Sequence, residues 1–107
     1  MTKNNKICGL LGLATRAGKT VFGTEACIQA INKNKIKLLI VAKNAAERTK
    51  KNFVDICNNK RIPLIEELSI EELSQAVGKD NKAVIGLKDA NFSNEIKKII
   101  NGGEAIG

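Results

Sequence analysis

The residues from Gly12 to Thr20, Gly-Leu-Ala-Thr-Arg-Ala-Gly-Lys-Thr, carry the glycines, lysine and threonine of a phosphate-binding loop. Such a loop needs four residues between its glycines, so that successive backbone amides converge on the phosphates. Here five intervene, Leu13 to Ala17, and the stretch follows an amphipathic helical pattern instead of a strand. No magnesium-binding aspartate ends a later strand, because the apolar run Leu38 to Ala42 closes on Lys43. Nucleotide hydrolysis is not expected.

The 107-residue chain contains no histidine, which excludes Ser-His-Asp and Cys-His catalysis and histidine-ligated metal sites. The acid pairs Glu66-Glu67 and Glu71-Glu72 read as solvated or helix-N-terminal carboxylates, a placement the helix dipole favours. Ser69 and Ser74 have no base to activate them. Cys8, Cys27 and Cys57 are an odd number at wide spacing, each within an apolar pattern. Buried free thiols are expected, not a disulfide framework or a metal site. The chain does not read as an enzyme, and neither a cofactor nor a metal is expected.

One junction keeps its chemical interest. Gly23 precedes a helical pattern, so a backbone can approach closely where free helix-end amides attract phosphate. Thr24 and Glu25 project from the first turn, with Gln29 one turn later on about the same face. Glu25 and Gln29 can reach base edges while Arg16 and Lys19, just before the junction, contact phosphates. The plainer reading is a capped helix start with a solvated Glu and Gln.

Charge favours the first reading. Residues 1–61 hold thirteen Lys/Arg against three acids, a net of +10; residues 62–107 hold five against eight, a net of −3. The overall +7 is therefore an uneven field, as expected if one face meets a polyanion. Exposed lysines of a Lys/Asn-rich composition are the competing account. Aromatic content is 3%, so stacking platforms of single-strand RNA binders are excluded.

The elements that must position these residues follow from periodicity. A helix is predicted from Asn5 to Ala17, with Gly18 past its end. Thr20 to Phe22 is β-prone, and Thr24 is a plausible N-cap for a helix through Ile31, with Asn34 as a left-handed stop. Lys37 to Lys43 reads as a central strand covered on both faces. Asn44-Ala45-Ala46-Glu47 reads as a capping-box variant opening a helix with Val54, Ile56 and Cys57 inward and Arg48, Lys50 and Lys51 outward. Ile62 to Ile65 reads as a short strand whose proline favours its start or a sheet edge. Ser69 to Glu72 is a capping box for a helix ending at Gly78. Ala83 to Leu87 is a second buried strand, and Asn91 to Asn101 a last helix before a tail that frays from about residue 102. Strands alternate with helices, so one α/β domain is expected over residues 1–107, a small sheet between helical layers. No apolar run reaches the roughly 18 residues of a membrane span. The segment before Arg16 lacks a signal-peptidase-like site, so a cytosolic, reducing setting is expected.

At the Gly23 junction the sequence resembles a known family. Leu10-Leu11-Gly12-Leu13-Ala14-Thr15-Arg16-Ala17-Gly18-Lys19, Gly23-Thr24-Glu25 and Ala30-Ile31 are similar to the opening of the bacterial YlxQ-type proteins. So are Val41-Ala42-Lys43-Asn44-Ala45 and Thr49-Lys50-Lys51. These proteins fall in the superfamily of ribosomal proteins L-seven-Ae, L-thirty-e and S-twelve-e, and the similarity runs over about residues 5–100. The resemblance implies a three-layer α/β/α sandwich around a four-stranded mixed sheet. It implies RNA binding, in the best-known relatives to the kink-turn, a sharply bent RNA helix. Those relatives use a Gly-x-(Asn/Lys)-(Glu/Gln)-x-x-Lys helix start and a loop, matching Gly78 to Lys82 here, whose apolar residues pack on a flipped base. In this chain Gly23 and Thr24 match, while Glu25, Ala26 and Gln29 replace the polar and basic positions. The loop carries Lys79, Asp80 and Asn81.

The expected function is a non-catalytic RNA-binding protein, ribosome-associated or bound to another structured RNA that includes the kink-turn class. Its partners are that RNA and ribosomal or translation proteins, with no membrane and no small-molecule substrate. The expected RNA contacts are Arg16, Lys19, Gly23, Thr24, Glu25, Gln29, Lys43, Asn44, Arg48, Lys79 and Lys82. The alternative is a protein-interaction module that keeps the fold and has lost specific RNA recognition, motivated by Ala26 and Gln29.

Overall fold

The computed structural model describes residues 2–101; the tail expected to fray from about residue 102 lies outside them. In chain order the elements are α1 (Lys3–Arg16), β1 (Thr20–Phe22), α2 (Thr24–Asn32), β2 (Leu38–Val41) and α3 (Glu47–Lys60). They continue with β3 (Leu64–Ile65), α4 (Ile70–Val77), β4 (Val84–Leu87) and α5 (Ala90–Ile100). The strands form one mixed sheet in the order β1-β4-β2-β3. β4 runs antiparallel to both β1 and β2, and β3 lies parallel to β2 on the edge. Pro63 directly precedes β3, where a missing N–H costs no ladder bond.

Every residue of the central strands β2 and β4 is buried, which requires cover on both faces. α1, α4 and α5 pack on one face and α2 and α3 on the other, giving the α/β/α sandwich. On the α2 side the approach is close: a Cβ on Gly86 would stand 2.8 Å from Ile36 Cδ1 and 3.5 Å from Cys27 Sγ. Ile7, Leu11 and Ala14 form the buried stripe of α1 at helical spacing. Gly12, half of the apparent phosphate-loop motif, lies inside this helix, where a Cβ would stand 3.1 Å from the Ala76 carbonyl. That glycine serves helix packing.

Five local expectations are corrected. The N-cap of α2 is Gly23 and not Thr24, because φ of +90° there is a conformation that an L side chain opposes. α3 starts from Ala46 without a side-chain cap, and Asn44 is used elsewhere. Phe53 and Cys57, one turn apart, form the buried stripe of α3, which turns Val54 outward to 37% exposure. Cys8 is half-exposed, whereas Cys27 and Cys57 are buried. The last helix starts one residue early, with the Asp89 carboxylate accepting the Phe92 amide at 2.9 Å. Among the described residues no helix is long and apolar enough to cross a membrane.

Candidate functional site

The sheet register divides the molecule into two poles. Phe22 pairs with Ile85 and Val41 with Val84, so the carboxyl ends of β1 and β2 meet the start of β4. Thr20 and Leu38 both pair with Leu87, so the starts of β1 and β2 meet the end of β4. The first of these ends is called here the carboxyl pole and the second the amino pole.

At the carboxyl pole three connections converge. The Gly23 amide donates to the Val84 carbonyl at 3.1 Å, and the Ala42 amide to the Ala83 carbonyl at 2.8 Å. The β1–α2 junction, the β2–α3 link and the loop before β4 are thereby held side by side. Gly23, Thr24, Glu25, Lys43, Asn44, Lys79 and Lys82 come together here, with Arg48 in the first turn of α3 and Gln29 exposed farther along α2.

Helix starts dominate the electrostatics of this pole. Thr2, Ser69 and Asp89 cap α1, α4 and α5 with side-chain oxygens. α2 and α3 begin at Gly23 and Ala46 with no side-chain cap, and both point their N-termini at the carboxyl pole. Each such terminus presents amides and a partial positive charge to an anion. The carboxyl ends of parallel strands leading into helices are also where α/β sheets bind ligands as a rule.

The loop from Gly78 to Lys82 is braced from below. The buried Ser74 hydroxyl accepts the Lys82 amide at 2.7 Å. Gly78 at φ +70° and Asn81 at φ +52° bend it back toward β1. The Lys79 ammonium lies 5.4 Å from the centroid of the Phe22 ring. Phe22 thus joins the pole, and its one signal in the sequence is its place directly before Gly23.

Lys43 and Asn44 sit beside the start of α4. The Asn44 side chain accepts the Ile70 amide at 2.8 Å and donates to Glu71 at 3.3 Å. Asn44 thus supports α4, not α3. Its bond, with the carboxylate's own backbone amide as the larger cause, holds Glu71 below the ordinary carboxylate range. Glu72 is lowered mainly by its bond from the Ser69 amide, with the Lys43 charge contributing. Lys50 is half-buried and paired with Glu47 at 3.5 Å and Glu66 at 3.8 Å, so the outward cations of α3 here are Arg48 and Lys51.

Arg16 and Lys19 do not join this site. The Lys88 amide donates to the Lys19 carbonyl at 2.9 Å, which puts both lysines at the amino pole. Four steps of extended chain, about 13 Å, separate Lys19 from Gly23. Adjacency in sequence becomes opposition in space because a strand lies between them.

Burial accounts for the thiols. Desolvation pushes Cys27 up to about 12 and Cys57 up to about 11, and raises Cys8 as well. Among the described residues no group of His, Cys, Asp and Glu could hold a metal ion.

The sequence model of the ribosomal protein L7Ae/L30e/S12e/Gadd45 family matches residues 5–97. The RNA-binding protein YlxQ of Enterococcus faecium is 39% identical over 97 residues, 91% of this chain and 93% of that protein. The RNA-binding protein YlxQ of Bacillus subtilis (strain 168) is 32% identical over 91 residues, 85% of this chain and 91% of that protein. A solved structure of a protein with unknown function from Bacillus halodurans superposes with a TM-score of 0.87 at 35% identity, covering 90% of this chain and 97% of that one. The Giardia lamblia 15.5kD RNA binding protein shares the fold, with a TM-score of 0.77 at 17% identity over 100% of this chain and 92% of that one.

Proposed function

The chain belongs to the ribosomal protein L7Ae/L30e/S12e/Gadd45 family, and on that premise we propose that it is a non-catalytic, one-domain RNA-binding protein of the cytoplasm. Its ligand is a structured RNA, ribosomal in the first instance, held at the carboxyl pole. The observation that carries this reading is the pair of uncapped helix starts, α2 and α3, aimed at one pole between loops bearing Lys43, Lys79 and Lys82. Backbone amides and ammonium groups there take phosphates, and Thr24, Glu25 and Gln29 stand exposed where base edges would be read. Two relatives over most of the chain carry the name RNA-binding protein, which supports the same ligand class.

Within that class the base readout is this chain's own. Kink-turn binders place hydrogen-bonding side chains where Glu25 and Ala26 stand, and Ala26 contributes no such bond. A good bidentate base contact is worth about 1–3 kcal/mol. Phosphate and shape contacts therefore carry more of the binding, and kink-turns bind as structured RNAs without a strong preference over other bent helices.

A titration series decides it: a structured ribosomal RNA fragment, a kink-turn duplex and a random RNA, each at several salt concentrations. The proposal expects the structured RNAs to bind more tightly, with affinity falling steeply as salt rises. Affinity equal to random RNA, unaffected by Lys43→Glu, overturns it. The exposed Ala26 favours a second reading, a protein-interaction module. Partners that survive nuclease treatment, with no RNA bound, establish that reading instead.

A further inference from the structure

The pole opposite the proposed site is the more uniformly charged end of the molecule. Lys19 and Lys88 are joined through their backbones, and the Lys37 amide donates to the Leu87 carbonyl at 2.7 Å. These three lysines therefore stand side by side at the ends of β1, β4 and β2. Arg16 closes the last turn of α1 three residues before Lys19. On the other flank Lys60 and Arg61 share a groove of about 250 Å³ with Lys37. The cations span the whole width of the sheet, three strand spacings or roughly 14 Å.

Little opposes them. Among the described residues, none of these six cations belongs to an ion pair. Asp89 is the acid beside Lys88, and its carboxylate is occupied with the Phe92 amide. Asp55 lies more than a turn back along α3 from Lys60. By contrast, the carboxyl pole mixes its lysines with Glu25, Glu47, Asp80 and the acids of α4.

Compensation of helix dipoles accounts for Arg16 and Lys60, which sit in the last turns of α1 and α3. It does not account for Lys19, Lys37 and Lys88, which lie outside helices. Arg61, the C-cap of α3, stands at the same helix end as Lys60 and holds a left-handed φ of +59°.

We propose that the amino pole is a second RNA-binding surface, taking the phosphate backbone of an RNA double helix, so that one molecule joins two RNA segments. The inference rests on the RNA-binding reading and extends it to a site that reads no bases. A broad band of Lys and Arg without aromatic side chains suits the phosphates and 2′-hydroxyls of a duplex, which is recognised by shape.

The test uses the full chain and two differently labelled RNAs, a structured fragment and a plain RNA duplex. The far-pole variant Lys19→Gln/Lys37→Gln/Lys88→Gln changes exposed, non-helical positions. Wild-type protein is expected to bring both labels into one complex. The variant is expected to keep the structured fragment and to bind the duplex more weakly, with a duplex salt slope lower by about three. The Lys→Arg triple at the same positions, which keeps the charge, is expected to restore bridging. A wild-type protein that binds one RNA only, with a slope the variant does not move, overturns the second surface and leaves the first reading standing. Failure of wild-type protein to bind either RNA overturns both.

Discussion

The side-chain oxygen of Asn44 accepts the Ile70 amide at 2.8 Å, across 26 residues of sequence. A residue that opens the link from β2 to α3 therefore anchors the start of α4, adding to the cap that Ser69 provides. Asn44→Ala removes that acceptor, and a bond of this kind is worth about 1 kcal/mol net. For a domain near 100 residues this lowers Tm by roughly 4–8 °C. A thermal melt checks it, and an unchanged melt would show that the tether carries no stability.

Gly23→Ala isolates a backbone effect. A Cβ at Gly23 meets nothing within 4 Å, so the cost comes from φ of +90° and ψ of 160° alone. Such a conformation is almost confined to glycine, and the substitution is expected to cost about 1–3 kcal/mol. Denaturant titration measures that loss. Structured-RNA affinity is expected to fall as well, since the start of α2 must shift.

Gly86→Ala tests packing between β4 and the α2 side. The added carbon would stand 2.8 Å from Ile36 Cδ1, inside a buried cluster. Overpacking of this sort costs about 1–3 kcal/mol. Ile36→Val removes the offending methyl, so Gly86→Ala is expected to be milder in that background. A double-mutant cycle reads the coupling, and strict additivity would contradict the contact.

Stability is expected to decline at both extremes of pH. Cys27 and Cys57 have folded values of about 12 and about 11 against an ordinary 9.0. Above pH 9 the unfolded chain loses thiol protons that the folded chain keeps, so stability falls as pH rises toward 11–12. On the acid side, Glu71 and Glu72 are held below their usual value, and stability falls as pH drops through the carboxylate range. Denaturation midpoints across pH, compared with Cys27→Ala, separate the alkaline limb. Alkylation of the native protein at pH 8 is expected to modify Cys8 first, the half-exposed thiol.

Lys79→Gln removes a cation from the carboxyl pole without touching the core. Its contact with Phe22 is an exposed one, worth about 0.5–1 kcal/mol. The expected result is nearly unchanged folding, uniformly weaker RNA binding and a salt slope reduced by about one. An unaltered slope would place Lys79 outside the interface.

Much of the fold was legible in local pattern. The apolar run of β2, the capping box at Ser69 and the glycine stop at Gly78 each express a rule satisfied within a few residues. Other positions depend on more than the residues beside them. Asn44 looked like the cap of the helix that follows it, and the nearer competitor lost to Ile70, which only the tertiary fold brings within reach. Val54 looked buried because it is apolar, but the angle between successive helix residues gave the inward face to Phe53 and Cys57.

Charge shows the same division. The amino-acid sequence alone determined the +10 and −3 halves, the missing histidine that removes the common catalytic routes, and a glycine-led helix start at Gly23. It could not determine which lysines face together. Lys19 and Lys37 precede their strands and Lys88 follows its strand, and antiparallel pairing with β4 puts all three at one end. The same pairing carries Gly23, Lys43 and Lys82 to the other. Composition fixes how much charge a chain holds, while strand direction and register fix where it points.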